Sequence, residues 1–140
     1  MLLDAGPTTV LDLRRLRDDG IGIAIDDFGT GYAGLRYLAM LPVTAIKVDR
    51  SFTAGLPDDA VSATIVRATI GLATELRLAC VVEGVETAQQ LAALPEAAQL
   101  LVQGYFFARP QPACAPLPAY ICALPVFTAA PQEGAAASTV

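Results

Sequence analysis

The chain has 140 residues, 54% of them hydrophobic, and a formal net charge of −5. This length supports one domain, and the negative charge argues against binding to a nucleic-acid polymer, because such proteins carry a basic face. The chain contains no histidine. That excludes histidine-based nucleophile activation, and any metal would be held by oxygen, which favours magnesium, manganese or calcium.

Neither secretion nor membrane insertion is predicted. Residues 1–20 contain charged side chains where a signal peptide needs an apolar stretch, and no apolar run reaches the ~18 residues of a transmembrane helix. Cys80, Cys114 and Cys122 are odd in number and lack paired spacing, which predicts neither a zinc site nor a disulfide framework. A cytoplasmic location is therefore expected.

Predicted helices alternate with predicted strands along the chain. The first helix ends at Gly20, and an apolar run that is expected to be buried on both faces follows it. The expected helices cover residues 11–17, 35–38, 57–76, 88–94 and 117–124, and the expected strands cover residues 21–25, 44–48, 78–82 and 100–102. This alternation is typical of βα units on a parallel sheet.

Two of the helices carry further signals. In the long helix, Val61, Ile65, Ala68 or Thr69, and Leu72 recur at helical spacing, which predicts the face that packs on the sheet. Thr87 is expected to cap the helix at residues 88–94, because its hydroxyl can accept a hydrogen bond from a backbone N–H of the first turn. Residues 125–140 are rich in alanine and proline and are expected to form a disordered tail.

Polar side chains recur just after each predicted strand. Adjacent strand residues point to opposite faces, so Asp26 and Asp27 can serve one site only if the backbone turns there, which Gly29 and Gly31 permit. The candidate site residues, strand by strand, are Asp26 and Asp27, then Lys47 and Asp49, then Glu83 and Glu86, then Gln103. The carboxyl ends of parallel strands share one face, so these side chains are expected to form one site.

Several carboxylates on one rim repel one another unless a cation lies between them. Two magnesium or manganese ions about 4 Å apart could clamp the attacking and leaving oxygens of a phosphoryl displacement. Lys47, the only lysine of the chain, could orient the attacking water or meet phosphate charge, and Glu83 could accept the proton of that water. The alternative is structural, with Lys47 paired to Asp49 or Asp26 in an ion-pair network.

Other interpretations of this region are weaker. The Gly29-Thr30-Gly31 triplet lacks the third glycine of a dinucleotide-binding loop, which argues against that fold. Phe28, Tyr32 and the aromatic residues at 105–107 could stack on a base, although packing in the core is the commoner fate of such side chains.

Taken together, the motifs resemble the EAL domain family, the bacterial phosphodiesterases that hydrolyse cyclic di-GMP. The resemblance runs from about residue 2 to residue 124. The matching motifs, in order, are Asp26-Asp27-Phe28-Gly29-Thr30-Gly31-Tyr32, Leu41-Pro42-Val43, Lys47-Val48-Asp49-Arg50-Ser51-Phe52, Glu83-Gly84-Val85-Glu86-Thr87, Gln103-Gly104-Tyr105 and the Pro110-x-Pro112 pair.

The resemblance implies a role for each of these residues. Asp26 would bridge two Mg²⁺ or Mn²⁺ ions, with Asp27 and Asp49 on the second ion. Lys47 and Glu83 would handle the nucleophilic water. Glu86 and Gln103 would support the site, and the loop at residues 28–35, with Phe28, Gly29, Thr30, Gly31 and Tyr32, would link substrate binding to dimerisation.

The sequence departs from the family in one important respect. It lacks the upstream Glu-Ala-Leu signature, together with an asparagine and a glutamate that the family contributes to the first metal. We therefore expect the C-terminal half of a TIM-type (β/α) barrel at residues 1–124, with about four parallel strands and outer helices. A complete barrel of this type has roughly 250 residues.

Two expectations follow from a half barrel. Its open sheet edges predict a homodimer, aggregation, or association with the missing N-terminal half of the domain. The isolated chain is expected to hydrolyse cyclic di-GMP negligibly, because one metal clamp is missing. The alternative function is a non-catalytic module that binds a nucleotide or a protein partner.

Overall fold

The computed structural model describes residues 7–30, 34–110 and 112. The chain divides into two units, residues 1–110 and 111–140, and in the second unit only Pro112 is described. The helix expected at residues 117–124, the tail expected at residues 125–140, and Cys114 and Cys122 all lie outside the described residues. In the described part of the chain, no helix is long and apolar enough to cross a bilayer.

The described residues form an alternating α/β structure. The helices are α1 (Pro7–Asp18), α2 (Gly34–Met40), α3 (Arg50–Ala54), α4 (Ala60–Glu75) and α5 (Ala88–Ala92). The strands are β1 (Ala24–Phe28), β2 (Ala45–Val48), β3 (Ala79–Val82) and β4 (Leu100–Val102). All four strands are parallel and neighbour one another in chain order, which confirms the predicted partial barrel with outer helices.

The core lies between the sheet and α4. Strand residues on the helix side of the sheet are almost fully buried, and the facing residues of α4 complete this layer. The strand residues are Ile46, Val48, Cys80 and Val82, and the α4 residues are Val66, Ile70 and Ala73. The sheet is therefore anchored through alternate residues of each strand, which leaves the intervening residues on its other face.

The first strand lies three residues later than predicted, and the prediction that it is buried on both faces is wrong. Residues 21–23 connect α1 to β1, and the N–H of Ile21 donates to the carbonyl of Leu16 at 2.9 Å. Ile21 is 51% exposed, and Ala24 in β1 is also exposed. The described structure places β1 at the edge of the sheet, so its side chains receive less cover than those of β2 and β3.

The predicted packing face of α4 is wrong in part: Thr69 is buried and Leu72 packs against the core, but Val61 does not. Val61 is 67% exposed, because the buried face lies one position further along the helix. The hydroxyl of Ser62 donates to Oδ2 of Asp59 at 2.6 Å, and Asp59 caps the helix by accepting the N–H of Val61. The buried residues of α4 are Ser62, Val66, Thr69, Ile70 and Ala73. Because this set includes small and polar side chains, the spacing of hydrophobic residues alone does not identify the packing face.

Candidate active site at the strand ends

A β-bulge places both aspartates of β1 next to β2. Ile25 is in register with Ile46 and Phe28 with Val48, so two residues of β1 lie opposite Lys47 alone. Such a bulge bends the strand and changes the direction of its side chains. Asp27 has φ of 50°, in the left-handed region. The backbone turn that two adjacent carboxylates need therefore occurs inside β1, at Asp27.

Lys47 joins three strands at this end of the sheet. Its Nζ lies 2.8 Å from Oδ1 of Asp26 and 2.6 Å from Oε1 of Glu83. Hydrogen bonds to these two carboxylates raise the pKa of Lys47, and the bond to Lys47 lowers the pKa of Asp26. The pair with Asp26 is the one that the structural alternative anticipates. Glu83, rather than Asp49, is the other partner.

Asp49 is held by the helix that follows it. Its Oδ1 accepts the N–H of Ser51 at 2.9 Å, which makes Asp49 the N-cap of α3. Hydrogen bonds from the hydroxyl and the backbone N–H of Ser51 lower the pKa of Asp49. The pKa of Asp27 is raised, first by desolvation and then by the negative charges of Asp26 and Asp49. The carboxyl groups of Asp27 on β1 and Asp49 after β2 therefore affect each other's ionisation.

The segment after β3 is fixed by a buried glutamine. Oε1 of Gln90 accepts the N–H groups of Glu86 at 2.7 Å and Thr87 at 3.1 Å, and the hydroxyl of Thr87 accepts the N–H of Gln90. This capping box confirms Thr87 as the N-cap of α5. Gln90 was not predicted, although a glutamine three residues after a capping threonine is the signal that could have identified it. The Glu86 side chain itself is exposed.

Gly84 and Gly104 bring backbone segments close together around the site. Gly84 has φ of 72°, and a Cβ there would lie 2.5 Å from Cβ of Arg50. A Cβ on Gly104 would overlap the backbone of Val85. The N–H of Gln103 donates to the carbonyl of Val82 at 2.9 Å, while its side chain is exposed. The backbone of Gln103 is therefore fixed at the strand end, next to the segment that carries Glu83.

The predicted loop after β1 is only partly described. Phe28 is the last residue of β1 and packs in the core, 8% exposed, instead of lying in a surface loop. Gly29 has φ of 102°, and a Cβ there would lie 2.8 Å from the ring of Phe52. The hydroxyl of Thr30 donates to the carbonyl of Asp27 at 2.9 Å. Gly31 and Tyr32 lie outside the described residues.

The donor atoms suit a hard divalent cation, because all are carboxylate oxygens. The described residues nevertheless contain no group of three or more acidic, cysteine or histidine side chains arranged to hold a metal. Asp26 and Glu83 are both paired with Lys47 instead. The candidate ligands of the described structure are therefore of the type that binds such a metal. They are not arranged as a complete set of ligands around one point.

The fold and site define a class of protein: part of a (β/α)-barrel domain with an acidic site at the carboxyl ends of its strands. Residues 6–110 match the EAL domain, and the chain belongs to this family. The family expected from the motifs is thereby confirmed.

The chain is similar to the cyclic di-GMP phosphodiesterase NbdA of Pseudomonas aeruginosa, with 51% identity over 76% of this chain and 14% of NbdA. Among solved structures it is similar to the MucR phosphodiesterase in complex with c-di-GMP, with 42% identity and a TM-score of 0.70 over 80% of this chain and 45% of that one. It is also similar to Klebsiella pneumoniae BlrP1 in a manganese/cyclic di-GMP complex, with 35% identity and a TM-score of 0.65 over 71% and 26%. The chain thus spans less than half the length of each of these proteins.

Proposed function

We propose that this chain supplies the Asp-Asp, Lys and Glu half of the catalytic site of a metal-dependent cyclic di-GMP phosphodiesterase, which hydrolyses cyclic di-GMP to the linear dinucleotide. The observation that carries the proposal is the bridge from Lys47 to Asp26 and Glu83. It brings residues of three strands to one point at the carboxyl end of the sheet. Such an end is where barrel enzymes place their chemistry.

In this proposal Lys47 and Glu83 act on the attacking water. The ammonium of Lys47 orients the water or meets the phosphate charge, and the carboxylate of Glu83 accepts the proton of the water. The 2.6 Å contact with Lys47 fixes the position of the Glu83 carboxylate beside the ammonium. Glu86 and Gln103 support the site from the segments after β3 and β4.

Asp26, Asp27 and Asp49 would hold Mg²⁺ or Mn²⁺, because their carboxylate oxygens are the ligands that these ions prefer. Bound ions would supply positive charge to the attacking and leaving oxygens. The pKa of Asp27 is raised first by desolvation and then by the negative charges of Asp26 and Asp49, and a bound cation would offset the effect of those charges. The manganese complex of BlrP1 supports this choice of ion.

The proposed location of the domain is the cytoplasm.

The 140-residue polypeptide by itself is proposed to hydrolyse cyclic di-GMP negligibly. The pairing of Asp26 and Glu83 with Lys47, which occupies two of the candidate carboxylates, supports this part of the proposal. Its proposed partners are cyclic di-GMP and a second copy of the chain. The same observation favours the second candidate function, a non-catalytic module that binds the nucleotide or a protein.

A chimera can separate the two candidates. The NbdA segment that aligns with this chain is replaced by residues 6–110, and hydrolysis of cyclic di-GMP is followed with Mn²⁺ present. We expect a folded, active chimera that loses at least about 100-fold in rate with Glu83→Ala, since general-base catalysis contributes roughly 10²–10⁴-fold. The matched control is Glu75→Ala, which removes an exposed acid of α4 far from the strand ends and should leave the rate unchanged.

A chimera that folds and binds cyclic di-GMP by calorimetry but does not hydrolyse it would favour the non-catalytic module. The isolated polypeptide is assayed in parallel. Turnover by the isolated chain that Glu83→Ala abolishes would refute its proposed inactivity while supporting the catalytic role of Glu83.

A further inference from the structure

A buried glutamine in α5 is bonded to the backbone of the segment that follows β3. Gln90 is 8% exposed, and its Oε1 accepts the N–H of Glu86 at 2.7 Å and the N–H of Thr87 at 3.1 Å. An amide oxygen has two lone pairs, so these two bonds use its full capacity as an acceptor. The segment after β3 is therefore held by one side chain of the helix that follows it.

One of these two bonds is not needed to cap α5. In a capping box, the side chain three residues into the helix accepts the N–H of the N-cap residue, and here that is the bond from Thr87. The other bond comes from Glu86, the residue before the N-cap, and it is the shorter of the two. Gln90 therefore fixes the backbone of Glu86 in addition to capping the helix.

The backbone on the other side of Glu86 is fixed independently by the segment after β4. Val85 is fully buried, its N–H donates to the carbonyl of Gln103 at 3.1 Å, and its carbonyl accepts the N–H of Phe106 at 3.0 Å. Within the described residues, the exposed side chain of Glu86 makes no hydrogen bond or ion pair. The direction of the Glu86 side chain therefore depends on its backbone, which is held between Val85 and Gln90.

From these contacts we propose that Gln90 is a positioning residue for Glu86 in the catalytic site. The inference rests on the proposed function, in which Glu86 supports the site from the segment after β3. Gln90 acts through Glu86, because it is buried and its acceptor oxygen is occupied by the backbone. A misplacement of about 1 Å in a catalytic site can cost roughly 10²-fold in rate, so loss of this bond should lower activity.

The test is a double-mutant cycle in the NbdA chimera that contains residues 6–110, with Mn²⁺ present. Gln90→Leu should lower kcat by about tenfold and change KM by less than about threefold, because no substrate contact is removed. If Gln90 acts through Glu86, the double variant Gln90→Leu with Glu86→Ala should be no slower than Glu86→Ala alone. Gln90→Glu keeps an acceptor oxygen at the same position and should stay within about threefold of the parent chimera.

Thr87→Ala separates positioning from helix capping. It removes the hydroxyl that accepts the N–H of Gln90 at 3.2 Å and leaves both bonds to Oε1 in place. It should therefore lower the melting temperature, as Gln90→Leu does, but lower kcat by less than about threefold. Gln89→Leu, at the exposed neighbour in α5, should change neither quantity.

Circular dichroism shows whether each variant is folded, and Gln90→Met serves if Gln90→Leu unfolds. Additive effects in the cycle would overturn the proposal, as would equal losses of kcat in Thr87→Ala and Gln90→Leu, because Gln90 would then contribute to helix stability alone. A parent chimera that folds but does not hydrolyse cyclic di-GMP would refute the proposed function, which is a separate failure. The same cycle is then measured on the Kd for cyclic di-GMP by calorimetry, where coupling between Gln90 and Glu86 supports the positioning role and its absence contradicts it.

Discussion

The ammonium of Lys47 lies 2.6 Å from Oε1 of Glu83, so the only lysine of the chain ties β2 to the segment after β3. The side chains of this pair are 28% and 21% exposed, which shields them from water more than the ion pairs of α1. The same ammonium reaches Asp26 on β1. The ammonium of Lys47 therefore connects the carboxyl ends of three of the four described strands. Substitution by methionine or by arginine can separate the effect of its charge from the effect of its size.

Replacing Lys47 by methionine should raise the pKa of Asp26, because the hydrogen bond from Lys47 is the largest cause of its lowered value. A carboxyl group with a lowered pKa stabilises the fold above its unfolded value, 3.8 for Asp26, and loses that contribution as the pH falls. We therefore expect Lys47→Met to cost about 1 kcal/mol in the free energy of unfolding at pH 7 and less below about pH 4.

Carbon-13 titration of the Asp26 carboxyl group and urea unfolding at both pH values measure these effects. Lys47→Arg is the control that keeps the charge and should retain most of the lowering of the Asp26 pKa. An unchanged Asp26 pKa in Lys47→Met would show that the contact with Lys47 does not hold in solution.

Asp27→Asn should raise the melting temperature near neutral pH. The pKa of Asp27 is raised in the fold, so its ionisation is disfavoured there and costs stability as the pH rises through the folded value. Asparagine carries no charge and also tolerates the left-handed φ of 50° at this position. The gain should disappear near pH 3, where Asp27 is mostly protonated.

Melting curves in EDTA at pH 3 and pH 7 measure the difference without bound metal. Asp18→Asn, at the exposed end of α1, is the control and should change little at either pH. An equal gain at both pH values would assign the effect to backbone conformation alone.

Two glycine substitutions should have opposite effects on stability. Gly104→Ala introduces a Cβ into the backbone of Val85, which cannot rotate away, and should cost about 3 kcal/mol or more. Gly71→Ala lies in α4, where a new Cβ meets nothing within 4 Å, and should stabilise the chain by roughly 0.5–1 kcal/mol. Urea unfolding of both variants makes the comparison. A tolerated alanine at 104 would mean that the β4 segment lies further from Val85 than described.

Gln90→Leu should destabilise the segment that carries Glu83. The substitution keeps the side-chain volume but removes the acceptor of the Glu86 and Thr87 N–H groups, which should cost about 2 kcal/mol. Gln89→Leu is the matched control, since Gln89 is the exposed neighbour in α5. Faster hydrogen exchange at residues 86 and 87 in Gln90→Leu alone would support the assignment. Equal effects of both variants would contradict it.

The positions of most elements could be predicted from sequence, because buried strands and glycine or proline boundaries leave a strong pattern. β4 was predicted at its observed bounds, and the strand-end residues Asp26, Lys47 and Glu83 do meet. The packing face of α4 could be predicted only in part, since Ser62 and Ala73 face the core while Val61 faces solvent. The partner of Lys47 depends on sheet register and on a bulge, and neither leaves a local signal in the sequence.

Because of the bulge, β1 has one residue more than the segment of β2 with which it pairs, and that extra residue is an aspartate. Ile25 and Phe28 pack on the core, Asp26 faces Lys47 on the other side, and the register resumes at Phe28 opposite Val48. If Asp27 were removed, Ile25, Asp26 and Phe28 would alternate as in an ordinary strand, opposite Ile46, Lys47 and Val48. Asp27 therefore behaves as a one-residue insertion, through which β1 gains a second carboxylate close to Asp26 and Asp49 without giving up a core position.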